Sequence, residues 1–167
     1  MAAKAHYDAD PLEQEQELEG GGGYKLYPRQ LNIVWGNDPR YWRIPAGKGD
    51  TGPAELIQVC WLEVTGSLQL EANKTYEVGF KVSLTPDAFG WNGCPVYVMA
   101  KFGKRGKYSW KRATLKTDKA EDQYQIPEQV LSIKSETENT LYFGLYEVWS
   151  GKWKGGLKIH EAIIKKK

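Results

Sequence analysis

The sequence predicts an all-β domain, a sandwich or barrel of about eight or nine antiparallel strands. Three observations predict it. Turn signals recur at roughly ten-residue spacing, the rhythm of short strands joined by tight connections. Seven Trp, ten Tyr and 18 Gly in 167 residues favour strands and turns over helices. No stretch sustains a helical apolar period, and no repeat of solenoid length is present.

Residues 1–23 read as a flexible acidic arm. Asp8, Asp10, Glu13, Glu15, Glu17 and Glu19 face Lys4 alone, a net charge of −5, which leaves +7 for the rest of the chain. The arm closes on four glycines at 20–23, a linker signal, so the folded domain is expected over 24–167. Residues 31–42 begin as a short strand around Ile33 and Val34 and break at Gly36-Asn37-Asp38-Pro39. Asn and Asp bond their own backbone there, and Pro presets φ. Trp35 and Trp42 bracket this turn. Residues 45–53 are a loop of chain breakers without the spacing of a phosphate cradle.

Residues 56–64 are nearly continuous apolar and read as one central strand, with Gly66 ending or bending it. Residues 76–82 alternate, with Tyr76, Val78, Phe80 and Val82 on one face, the pattern of a half-buried antiparallel strand. A long loop is expected over 86–95. Strands at 96–102 and 108–115 flank a hairpin turn at 103–106. Residues 117–127 are irregular, 130–133 a short strand, and 136–140 a turn. Residues 141–148 form a strand, 149–156 a loop and 157–164 a closing strand.

Several function classes drop out. No apolar run reaches membrane-span length. No apolar leader segment opens the sequence, so the expected compartment is the cytosol, with the nucleus as an extension. Cys60 reads as a small buried hydrophobe and Cys94 as a loop thiol. A reducing compartment disfavours a disulfide between them, although that pairing stays open. Two histidines, His6 and His160, stand far apart, and neither a nucleophile elbow nor zinc-ligand spacing occurs. Glu63 and Glu147, each ending an apolar run, are the carboxylates to weigh for glycoside chemistry, against the simpler reading as strand residues facing water. No cofactor or metal is expected, and no enzyme activity.

Binding fits better. Aromatic and polar side chains concentrate in the expected loops: Trp35, Asn37, Tyr41 and Trp42; Trp91 and Asn92; Trp149, Trp153 and Lys154. Loops at one end of a sandwich converge. An indole matches the C–H face of a pyranose, and Asn, Asp, Glu and Tyr match its hydroxyl rim. A competing pattern lies at 101–112, with six basic residues, no acidic ones and three aromatics. That is the composition of a single-strand nucleic-acid binder, and equally of a charged hairpin edge.

The blocks Leu31-Asn-Ile-Val-Trp35, Asn37-Asp-Pro-Arg-Tyr-Trp42, Glu55-Leu56, Val59-Cys-Trp-Leu-Glu63, residues 76–80 and Trp153-Lys-Gly-Gly-Leu157-x-Ile159 occur in one order. They resemble the phloem protein 2 family, which includes the tobacco-agglutinin type of plant lectin, and most of all its small cucurbit phloem-exudate lectins. The resemblance covers about 24 to 164. It implies a β-sandwich of jelly-roll type and a non-enzymatic lectin for N-acetylglucosamine oligomers, including chito-oligosaccharides and the N-glycan core of glycoproteins. It implies a role in defence or signalling, a cytosolic or nuclear homodimer in phloem, and association with phloem filament protein and RNA. Trp35 and Trp42 are then the stacking residues. Asn37, Asp38, Tyr41 and Glu147 are candidate hydrogen-bond partners, and Trp153 and Lys154 lie where the family's C-terminal site residues fall.

Overall fold

The computed structural model describes residues 5–10, 16–17, 22–47 and 50–167. Twelve strands are present among them: β1 (Gln16–Glu17), β2 (Gly23–Leu26), β3 (Asn32–Ile33), β4 (Trp42–Arg43), β5 (Ala54–Leu56), β6 (Leu62–Gln69), β7 (Thr75–Phe89), β8 (Val96–Phe102), β9 (Ser109–Ala113), β10 (Tyr124–Lys134), β11 (Thr140–Glu147) and β12 (Gly155–Lys166). All pair antiparallel and build two sheets. The five-stranded sheet runs β3-β6-β11-β8-β9. The seven-stranded sheet centres on β12, with β7 and then β10 on one side. Along its other side β12 pairs first with β5 and then with β2, and β4 and β1 lie beyond these.

The alternation in β6 and β11 decides which face goes in. Leu62, Val64 and Leu68 of β6, and Leu141, Phe143 and Leu145 of β11, point into the core. They meet Val78, Phe80, Val82 and Leu84 of β7 from the facing sheet. Phe80 and Phe143 stack across the interface with ring centroids 6.1 Å apart. Each such side chain, taken fully from water, contributes about 1.5–3 kcal/mol. Gly66 stays inside β6 rather than ending it. A Cβ there would lie 2.6 Å from Cζ of Phe143, so the ring needs the glycine.

Several expectations are corrected. The single strand at 56–64 is two strands in different sheets. After β5, Ile57 donates its N–H to Tyr41 O at 2.8 Å, and Val59 forms an isolated antiparallel bridge with Lys154. The chain then joins the other sheet at Leu62. The 76–82 strand extends through Pro86 to Phe89, and the 130–133 strand begins at Tyr124. Trp91, expected in an open loop, is 1% exposed and donates its indole N–H to Gly155 O at 2.9 Å. The cysteines are both free, and Cys94 is the more buried of the two.

The arm is docked where it is described. Tyr7 bridges Ile33 through reciprocal backbone hydrogen bonds of 2.9 and 2.8 Å, which covers the β3 edge. Asp10 pairs with Arg29 at 2.8 Å, and β1 pairs with β2. Of the expected linker, Gly20 and Gly21 lie outside the described residues, while Gly23 opens β2.

Candidate functional site

The 57–61 crossover, the 34–41 turn and the 149–154 loop meet at one end of the sandwich. They enclose a cleft of about 120 Å³ lined by Trp35, Tyr41, Val59, Cys60, Trp61 and Trp153. Its three indoles stay open: Trp35 is 40% exposed, Trp61 44% and Trp153 52%.

Trp35 is held in a costly conformation. Its φ of 64° places a bulky residue in the left-handed region, which normally suits glycine or asparagine. Surrounding contacts enforce it. The Trp35 N–H donates to His6 Nδ1 at 2.9 Å, and Gly36 N–H donates to Ile33 O at 2.9 Å. The indole meets His6 edge-on at 5.4 Å and Tyr41 edge-on at 5.8 Å. Tyr41 in turn lies 6.5 Å from Trp153, tilted by 33°. The Arg40 guanidinium sits 5.1 Å above the Tyr41 ring.

Asn37 and Asp38 build the turn and do not line the cleft. Asn37 donates its side-chain N–H to His6 O at 2.8 Å. Asp38 is clamped by Arg40, whose hydrogen bonds hold its carboxyl below the usual carboxylate range. The Asp38 carbonyl caps the N–H groups of Tyr41 and Trp42.

Trp42 departs most from expectation. It pairs with Leu56 across β4 and β5 and faces the core, 2% exposed. Its indole N–H meets no acceptor among the described residues. Trp42 therefore offers no stacking face.

Glu147 and Lys154 are brought together, but beneath the surface. Lys154 Nζ is fully buried and lies 2.8 Å from Glu147 Oε1, 3.0 Å from Lys152 O and 3.3 Å from Cys60 O. Three acceptors thus meet its three donors. Glu147 also accepts from the Ser150 hydroxyl and from the N–H groups of Trp149 and Ser150. Burial alone would raise the Glu147 carboxyl; the Lys154 and Ser150 hydrogen bonds and the Lys154 charge outweigh it and hold it at about 2. The pair ties residue 60, next to Trp61, to residues 149 and 152–154, around Trp153. It positions the aromatic walls and has no free group to offer a ligand.

The sequence reading missed Trp61, which it placed inside a buried strand. Its parity was the available signal. Trp61 shares the outward face with Glu63, and its indole N–H donates to Glu63 Oε1 at 3.0 Å. Among the described residues no group of His, Cys, Asp and Glu is arranged to hold a metal ion.

The family model for phloem protein 2 matches residues 22–166. The chain belongs to the phloem protein 2 family. A relative in Arabidopsis thaliana, Protein PHLOEM PROTEIN 2-LIKE A9, is 43% identical over 178 residues, covering 96% of this chain and 95% of its own. A protein named Lectin from Luffa acutangula is 43% identical over 84 residues, covering 47% of this chain and 40% of its own. A solved CBM4 structure superposes with a TM-score of 0.50 at 11% identity, covering 97% of this chain and 94% of that one. At that identity the likeness concerns the sandwich alone. The block at 31–42 of this chain supplies both an open indole, Trp35, and a core indole, Trp42.

Proposed function

We propose that this phloem protein 2 family member is a lectin whose cleft grips N-acetylglucosamine oligomers, as in chitin fragments and N-glycan cores. The observation that carries the reading is the set of open indoles, Trp35, Trp61 and Trp153, held around one cleft by contacts that fix them before a ligand arrives. Relatives named as lectins, from Luffa acutangula and Coccinia grandis, support it. Covering about 60 Å² of apolar area per ring is worth about 1.5 kcal/mol. Two or three rings together with a few net-weak hydrogen bonds reach affinities of about a millimolar to high micromolar. A homodimer on multivalent glycoproteins would raise this by avidity. The reading is one of binding without catalysis, since Glu147 is neutralised by Lys154 and Glu63 is engaged by Trp61. A cytosolic role in phloem defence or signalling belongs to the same proposal.

Trp35→Ala and Trp153→Ala are each expected to lower affinity for chitin oligomers by about tenfold, with an unchanged melting midpoint. Titration calorimetry on the folded variants checks this; unaltered affinity in both would remove the cleft from the function.

A second reading has its own observation. Lys104, Arg105 and Lys107 stand exposed at the β8–β9 turn, and Lys101 Nζ lies 4.7 Å over the Tyr108 ring. Basic charge beside stacked aromatics fits single-stranded RNA, alone or on phloem filaments.

A further inference from the structure

The outer face of the five-stranded sheet holds a second aromatic surface. Glu63 of β6, Tyr146 of β11, Tyr97 of β8 and Arg112 of β9 are successive register partners. Direct partners in an antiparallel sheet share a face, so these side chains form one row across four strands, about 14 Å long at a strand spacing of about 4.8 Å. Glu63, Tyr146 and Tyr97 are half-buried and Arg112 is exposed, and the Tyr146 hydroxyl is tied to Tyr108. Tyr146 leans along its strand over Gly144, where a Cβ would come within 2.6 Å of Tyr146 Cε2. Tyr97 is held edge-on between two indoles, Trp149 at 4.9 Å and Trp110 at 5.6 Å. Those two indoles are the most exposed large apolar side chains among the described residues, at 60% and 56%.

This row continues the cleft. Trp61 walls the cleft and donates to Glu63, which begins the row. The buried Glu147 carboxylate accepts from the N–H of Trp149, whose ring packs on Tyr97 of the row, and its partner Lys154 holds Cys60 O beside Trp61. Continuity with the cleft selects the occupant. The row carries one acid, Glu63, and one base, Arg112, with tyrosines between, and Lys101 stands on the same face, 6.0 Å over the Tyr142 ring. A hydroxylated chain leaving the cleft meets hydrogen-bond donors and acceptors along the row.

We propose that this sheet face is the second segment of the sugar site, which extends the cleft into an open track for a β-1,4-linked pyranose chain. The inference rests on the reading of the cleft as a carbohydrate site. The cleft, at about 120 Å³, is short for an oligomer. A longer chain leaves it past Trp61 and then advances about one sugar per strand, because a β-1,4-linked residue and the strand spacing are nearly equal in length.

The test is a calorimetric length series, chitobiose to chitohexaose, on the wild type, Trp110→Ala, Trp149→Ala and the cleft variant Trp153→Ala, each checked for an unchanged melting midpoint. The wild type is expected to bind more tightly as the chain lengthens. Trp110→Ala and Trp149→Ala keep the dimer's affinity and lose about tenfold on the hexamer, one ring's worth of covered area. An identical series in wild type and both face variants overturns the track, as does a flat series in the wild type. Failure of the cleft is seen separately, as chitobiose binding that Trp153→Ala leaves intact. A single-stranded RNA oligonucleotide is titrated in parallel. RNA binding that Trp110→Ala abolishes and that falls steeply with salt gives the face to nucleic acid and overturns the track.

Discussion

Lys154 shows how much one side chain organises here. Its ammonium is fully buried and satisfied by Glu147 Oε1 and two backbone carbonyls. Lys154→Met leaves an uncompensated carboxylate and is expected to cost about 3–5 kcal/mol in chemical denaturation. The double variant Glu147→Gln with Lys154→Met recovers much of that loss while sugar affinity stays low, because the walls lose their tie. The same pair sets an acid limit. The folded Glu147 carboxyl lies at about 2, below its ordinary 4.5. Its stabilising contribution is complete above pH 4.5 and is lost as pH falls from there towards 2. Acid unfolding of Glu147→Gln is expected to show a shallower slope over that window than the wild type. Trp35 and Trp42 teach the complementary lesson. Both indoles flank the same turn, and the sequence treats them alike. What separates them is pairing: Trp42 faces Leu56 across a two-residue strand, while Trp35 sits in a left-handed turn that only tertiary contacts hold. Neither fact is written in local residue pattern.

At the scale of elements, alternation made the long strands legible. Tyr76, Val78, Phe80 and Val82 alternate and go inside as the pattern demands. Residues 56–64 were not legible, since a continuous apolar run looks the same whether it stays in one sheet or crosses between two. The break comes from hydrogen bonds to Tyr41 and Lys154, both distant in sequence. The N-terminal segment was equally opaque. It has no alternation of its own, and it docks by adding to the β3 edge and setting His6 against Trp35. Removing residues 1–10 is therefore expected to weaken chitin-oligomer binding several-fold and to lower the melting midpoint. Calorimetry and thermal scans on the truncated chain measure both, and an unchanged affinity would mean that Trp35 holds its pose unaided.

For the whole molecule, composition and turn spacing led to the right class, two antiparallel sheets around one core. They carry no information about which loops share an end, so the expected loop residues mixed Trp35, Tyr41 and Trp153 with the buried Trp42 and Trp91 and left out Trp61. The charge distribution supports one further outcome. A neutral sugar releases no counterions, so chitin-oligomer affinity is expected to hold from low to high salt, and a steep decline would favour the RNA reading. Strand β12 adds a practical corollary. It starts beside the cleft at Gly155 and runs twelve residues, about 40 Å, to Lys166. A bead or sensor chip coupled through the amines at 165–167 therefore leaves the aromatic mouth facing the analyte. Coupling through Lys152, whose amine rests on Asn92 O in the neighbouring loop, would blind it.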